Sequence, residues 1–172
     1  MEMIKVGPVG RTGGGSIWDE KGRDEVVGIL VSYSENTIES LQFLFYENGN
    51  LVQSDKHGSN RRENFSAVVF DYPSEFLTSL SGSYGNNGYS TVLSAIKFNT
   101  NKGSYGPFGC AKLATDAKHF NFQIGNHRLF GGFHGTKSRQ AVESIGIYLK
   151  PIISSMINLK DLRVKDEEEE DY

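Results

Sequence analysis

The sequence predicts an all-β domain, on three observations. Apolar residues alternate or run in short blocks, and helical spacing is nearly absent. Turn signatures rich in Asn and Gly separate the blocks. A short apolar pattern also recurs three times at near-equal intervals. Together these imply many short strands in a sandwich, barrel or prism.

Six strands are expected, at residues 26–31 (VVGILV), 41–46 (LQFLFY), 65–70 (FSAVVF), 96–98, 120–124 (FNFQI) and 144–149 (SIGIYL). Each is rich in β-branched or aromatic residues. Turns are expected at 47–50, 85–88, 101–103 and 124–126, where Asn-Gly and Gly-Asn pairs supply the positive φ that tight hairpins require. The glycine-rich segment 130–136 reads as a further tight turn before the last strand. The recurring pattern is apolar-x-small-apolar-x-apolar, at residues 38–43, 93–98 and 142–147. Its fourth positions are Leu41, Ile96 and Ile145, which suggests three similar units around one axis. Gly7-Pro8-Val9-Gly10 and Gly106-Pro107-Phe108-Gly109 form a second echo. The globular part is expected to span residues 1–151. Residues 152–172 read as an appendage, with a marginal helix over 152–164 and then a run of six acids, Asp166 to Asp171.

Composition excludes several function classes. A chain of 172 residues is one domain with room for a real core. The net charge is −3, and its negative sign comes from the terminal acidic run. No basic stripe suited to a phosphate backbone is present, so neither nucleic-acid binding nor a membrane role is expected. Apolar runs fall far short of the ~20 residues of a membrane span. One cysteine, Cys110, rules out an intrachain disulfide. Nothing near the N-terminus reads as a secretory signal, so the sequon at Asn64-Phe65-Ser66 is read as silent and the expected location is the cytoplasm.

Catalysis ranks below binding. The loop Arg11-Thr12-Gly13-Gly14-Gly15-Ser16 lacks the Gly-Lys-Ser/Thr and the following helix of a phosphate loop. It reads as a bend between strands, or as bare backbone for close approach of a ligand. Cys110 and the histidines at 57, 119, 127 and 134 show neither nucleophile nor zinc spacing. No enzyme, metal or cofactor is expected.

Several motifs then agree in order. Val6-Gly7-Pro8, Gly13-Gly14-Gly15 and Trp18-Asp19 are followed by Lys97-Phe98-Asn99-Thr100-Asn101 and Tyr105-Gly106-Pro107-Phe108-Gly109. Gly132-Phe133-His134-Gly135 and Ser144-Ile145-Gly146-Ile147-Tyr148-Leu149 close the series. Across about residues 4–150 the chain resembles the jacalin-related lectins. It is especially similar to plant jacalin-like proteins that restrict long-distance virus movement. The resemblance implies a β-prism of three four-stranded antiparallel sheets with pseudo-three-fold symmetry.

The resemblance also implies a mannose/glucose-type glycan site at one tip. Gly15 falls on the first loop, and Arg139-Gln140-Ala141-Val142-Glu143 falls where mannose binders carry Gly-x-x-x-Asp. Carried over, Gln140 and Ala141 offer backbone N–H groups and Glu143 a carboxylate; Tyr84 or Tyr89 is a candidate for stacking on a sugar ring. Two positions depart from the motif. Glu143 is one methylene longer than Asp, and Arg139 replaces Gly, so Arg139 is expected to pair with Glu143 or to fill the pocket. Weak or absent mannose binding is therefore predicted, since one missing buried partner costs about 1–3 kcal/mol, against about 4 kcal/mol for a whole millimolar complex. Two readings stay open: a lectin with a weak site, and a protein-interaction module whose partners bind the domain or the tail. Self-association is a further expectation.

Overall fold

The computed structural model describes residues 2–61 and 64–157, the Leu113 side chain excepted. Its thirteen strands are β1 (Ile4–Gly10), β2 (Ser16–Asp19), β3 (Glu25–Tyr33), β4 (Ile38–Glu47), β5 (Asn50–Gln53), β6 (His57–Gly58), β7 (Asn64–Val69), β8 (Leu77–Asn86), β9 (Thr91–Thr100), β10 (Ser104–Gly109), β11 (Thr115–Gln123), β12 (Phe130–Lys137) and β13 (Val142–Leu149). All pairings are antiparallel. They make three sheets, ordered β1-β13-β12-β2, β5-β4-β3-β7 and β10-β9-β8-β11; the two-residue β6 pairs with β4 beyond the end of β5. The three-sided prism of four-stranded sheets is thus present.

The recurring pattern marks an inner strand of each sheet, β4, β9 and β13. Leu41, Ile96 and Ile145 are each 0% exposed, so the repeat is the inward face of three equivalent strands. The glycine-proline echo also has a structural meaning. Both copies interrupt the pairing of an edge strand, β1 against β13 and β10 against β9. Proline lacks a donor for the ladder and is confined to such edges and bulges.

One contact repeats in all three units. Gly10, Gly58 and Gly109 have φ of +114°, +119° and +78°. A Cβ there would fall 2.4, 2.2 and 2.2 Å from the carbonyl oxygens of Glu143, Glu39 and Ser94. The residue after each glycine donates its N–H to that same carbonyl: Arg11 to Glu143 (3.1 Å), Ser59 to Glu39 (2.8 Å) and Cys110 to Ser94 (3.0 Å). Only glycine permits both this backbone angle and this approach.

Aromatic stacking joins the sheets. Phe43 on β4 lies 4.2 Å from Phe133 on β12, centroid to centroid, and Trp18 on β2 lies 4.5 Å from His57. A buried polar cluster adjoins them. Glu20 accepts from His57 Nε2 (2.8 Å) and from Arg23 Nη2 (2.7 Å), and Arg23 also reaches Glu47 (3.2 Å). His57 Nδ1 is buried without a partner. Protonating it would place an N–H in the core with no acceptor. Burial accordingly lowers the His57 pKa, although Glu20 opposes the shift. His134, whose Nε2 lies 2.9 Å from the Val6 carbonyl, is also lowered, again chiefly by burial.

Segment 130–136 is not a turn. It is strand β12, buried from Phe130 to Thr136. Its glycines serve close packing: a Cβ on Gly135 would meet the Ser144 carbonyl oxygen at 2.1 Å and the Trp18 ring at 2.9 Å. The bend at 11–16 does lie between two strands, β1 and β2, whereas β8 is not among the expected strands, because glycine and serine dilute its apolar alternation. Of the expected helix over 152–164, Ser154–Met156 forms a 3₁₀ turn whose Met156 packs on the core. Residues 158–164 and the acidic run lie outside the described residues.

Two predictions follow from this packing. Gly135→Ala is expected to destabilise the fold by about 1–3 kcal/mol, because a backbone carbonyl cannot swing away as a side chain can; urea unfolding measures it. The histidines give a pH dependence. Both are held neutral when folded, with pKa values below the ~6.5 of the unfolded chain. Unfolding therefore takes up protons as pH falls, so stability is full above ~6.5 and declines toward the folded pKa values. The slope is at most ~1.4 kcal/mol per pH unit for each histidine. His57→Gln should flatten the decline between pH 7 and 5 in urea melts.

Candidate functional site

The site is built where β1 ends and β13 begins. Gly10 pairs with Ser144, and Arg11 N–H reaches the Glu143 carbonyl. The Thr136 hydroxyl donates to the Arg11 carbonyl and also contacts Ser144 Oγ. Arg11 is therefore fixed at both of its backbone ends. The loop then returns to β2, whose Ser16 pairs with Lys137 on β12. This folds the first glycine loop over the β12–β13 hairpin and brings Gly15 to Glu143, 128 positions apart in sequence. An ideal Cβ on Gly15 would lie 2.2 Å from Glu143 Oε1 and 2.0 Å from the Lys137 carbonyl oxygen.

Glu143 is 2% exposed. Its Oε1 has no hydrogen-bond partner, and Arg11 Nε lies 3.6 Å from Oε2. The pairing is too long for a hydrogen bond. The Arg11 side chain lies along the loop: a Cβ on Gly14 would come within 2.2 Å of its Nε and 2.5 Å of its Cζ. Arg11, not Arg139, is thus the cation facing the carboxylate. The reason is local. Arg11 is anchored through its own N–H to Glu143, whereas Arg139 sits at the exposed hairpin tip.

The hairpin amides are engaged as well. Ser138 Oγ accepts from Gln140 N (3.1 Å) and Ala141 N (3.2 Å), while Ser138 N donates to the Ala141 carbonyl (2.9 Å). The two N–H groups expected to grip a ligand are closed on a neighbouring hydroxyl, a common device of serine in turns. Gln140 is exposed, whereas Ala141 is 2% exposed. Sequence reasoning missed Arg11, Ser138 and Thr136. The signal available was a hydroxyl at the start of the hairpin and a cation directly after Gly10.

The two candidate aromatics separate. Tyr84 is partly buried and packs on the core. Tyr89 is 92% exposed on the β8–β9 turn, where Asn87 Oδ1 accepts from the N–H groups of Tyr89 and Ser90. Tyr89 and Gln140 line a crevice of about 380 Å³ between the hairpin tips, together with Asn36, Thr37 and Arg61. Cys110 is half-buried, and no His/Cys/Asp/Glu group fit to hold a metal occurs among the described residues. No helix among those residues is long and apolar enough to cross a membrane.

Comparison with known proteins agrees with this geometry. Residues 6–148 match the jacalin-like lectin domain. Protein RESTRICTED TEV MOVEMENT 1 of Arabidopsis thaliana is 38% identical over 157 residues, covering 86% of this chain and 87% of its own. Jacalin-related lectin 24 of the same plant is 33% identical, covering 87% and 69%. Among solved structures, an artocarpin–mannotriose complex superposes with a TM-score of 0.76 at 31% identity, covering 88% of this chain and 99% of that one. Single-chain recombinant jacalin gives 0.77 at 29%, covering 88% and 96%. Three equivalent sheets, a glycine loop closed over the last hairpin, and a domain match across most of its length place this chain in the jacalin-like lectin family.

Proposed function

We propose that this chain is a cytosolic, non-enzymatic binding protein of plant antiviral defence with a mannose/glucose-type glycan site held shut in the free protein. The observation that carries the reading is Glu143: buried, with one carboxylate oxygen unpaired and aimed at Gly15. An unpaired buried acceptor is costly, and a vicinal diol would satisfy both oxygens. The defence role rests on the similarity to Protein RESTRICTED TEV MOVEMENT 1, and the sugar class on the neighbour complexed with mannotriose. The lone thiol of Cys110 suits a reducing compartment.

Two contacts oppose ligand entry. Arg11 covers the loop beside the carboxylate, and Ser138 occupies the Gln140 and Ala141 amides. A sugar would have to displace both. Each amide bond is worth about 0.5–1.5 kcal/mol net, so releasing the pair is expected to change affinity by about tenfold. Calorimetry with methyl α-mannoside tests this. The native chain should bind weakly, in the range near ~1 mM or above. Ser138→Ala and Arg11→Ala should each tighten binding, and adding Glu143→Gln should abolish the gain. Micromolar binding by the native chain, or no gain in either variant, would overturn the closed-site reading.

The same two contacts support a second reading, in which the domain engages proteins and the sugar site is vestigial. Partners retained from plant extract in the presence of excess mannose support this reading. Elution of every partner by mannose removes it.

A further inference from the structure

We infer that the outer face of the sheet β10-β9-β8-β11 carries a separate ligand site, a cleft for a small flat apolar molecule bearing one anionic group. Topology creates it. Strands β10 and β11 are opposite edges of that sheet, so the link between them, residues 110–114, has to cross β9 and β8. In the sheet β1-β13-β12-β2 the matching link is the first glycine loop, residues 11–15, which crosses β13 and β12 largely as bare backbone. In the third unit side chains replace the glycines. The link winds into a 3₁₀ turn, Ala111–Leu113, that packs on β8, β9 and β11. Ser94 stands where the other two units have Glu39 and Glu143 against their glycines, and its Oγ lies 2.7 Å from Ser83 Oγ. The two hydroxyls bond each other, and this unit offers a sugar no carboxylate.

The cleft beside the turn has a volume of about 460 Å³, within the ~300–1,000 Å³ range of small-molecule sites. By register Ser83 and Ala95 face outward, because Ile96 next to Ala95 points to the core. They are nevertheless 1% and 6% exposed, sheltered where the link crosses the sheet. Pro107 and Ala111 supply further apolar wall.

The charge around the cleft has one sign. Lys97 on β9, Lys112 on the turn and His119 on β11 line it, and no acid does. Among the described residues neither lysine forms an ion pair. Lys112 and His119 are exposed and Lys97 is half-buried, so the cations sit at the rim and the apolar atoms beneath. Such a cleft suits a molecule with an apolar body and one anionic end. The body displaces water from the walls, and the anion takes charge-assisted hydrogen bonds from the ammonium groups. A neutral sugar has neither feature. The inference is independent of the glycan site, which is built on another sheet.

The probe is 2-naphthoate, and 2-naphthamide repeats its shape without the charge. Calorimetry of the whole chain should show naphthoate binding near ~100 µM, as suits about thirteen non-hydrogen atoms. Naphthamide should bind at least about tenfold more weakly. Lys97→Met and Lys112→Met keep an apolar stem and remove the charge; each should weaken naphthoate about threefold, and the pair about tenfold. Lys5→Met on β1 should change nothing. Cys110, the one cysteine of the chain, lines the cleft and reports its occupancy. Saturating naphthoate should slow its reaction with a neutral thiol reagent at least about threefold. No saturable binding up to about 1 mM, equal affinity for acid and amide, or a thiol rate indifferent to naphthoate would overturn the inference. A thiol that reacts in the free chain only at high salt would mean that the acidic run at 166–171 already fills the cleft, and would overturn it equally.

Discussion

The structure depends on a backbone contact made three times: a glycine pressed on the carbonyl of the second residue of the recurring pattern on β4, β9 or β13. Gly58 meets Glu39, Gly109 meets Ser94, and Gly10 meets Glu143. In each case the following N–H closes on the same carbonyl. This pins the outermost part of each sheet to an inner strand at the same level. The hydrophobic residues one turn of the pleat away, Leu41, Ile96 and Ile145, are thereby held at the common axis. Adding a methyl group at any of these glycines sets atom against backbone atom, where nothing can yield cheaply.

The candidate site inherits its geometry from one of the three contacts. Glu143 holds Arg11 through its carbonyl, and the same anchoring lays the Arg11 side chain beside the Glu143 carboxylate. The scaffold contact and the ion pair are therefore parts of one arrangement. The lengthened carboxylate also fits this view. Its Oε1 lies where a Cβ on Gly15 would fall, so the additional methylene carries the carboxylate up against the glycine loop. A shorter acid would leave more room between loop and hairpin.

Much of the fold was legible in the sequence because it rests on periodicity. The threefold pattern located β4, β9 and β13, and the Asn-Gly turn at 48–49 located the β4–β5 hairpin. Strand β12 was misread because its glycines resemble turn glycines; their purpose, contact with the Ser144 and Glu20 carbonyls, involves partners distant in sequence. The site was half legible. The resemblance singled out Gly15 and Glu143, and the structure brings them together. Arg11 and Ser138 were not visible, because their roles arise from tertiary anchoring and from a side chain turning back on its own hairpin. Arg139 stands out in the sequence because it replaces the motif glycine, but the structure puts it at an exposed hairpin tip and sets Arg11 beside the carboxylate.

The strand register has one more consequence. Ile4 pairs with Leu149 at one end of the β1–β13 ladder, and Gly10 pairs with Ser144 at the other. The polypeptide thus enters and leaves the prism side by side, remote from Gly15 and Glu143. A bead, a fluorophore or a fused module attached beside Ile4 or Leu149 therefore sits at the opposite end of the β1–β13 ladder from the hairpin tips.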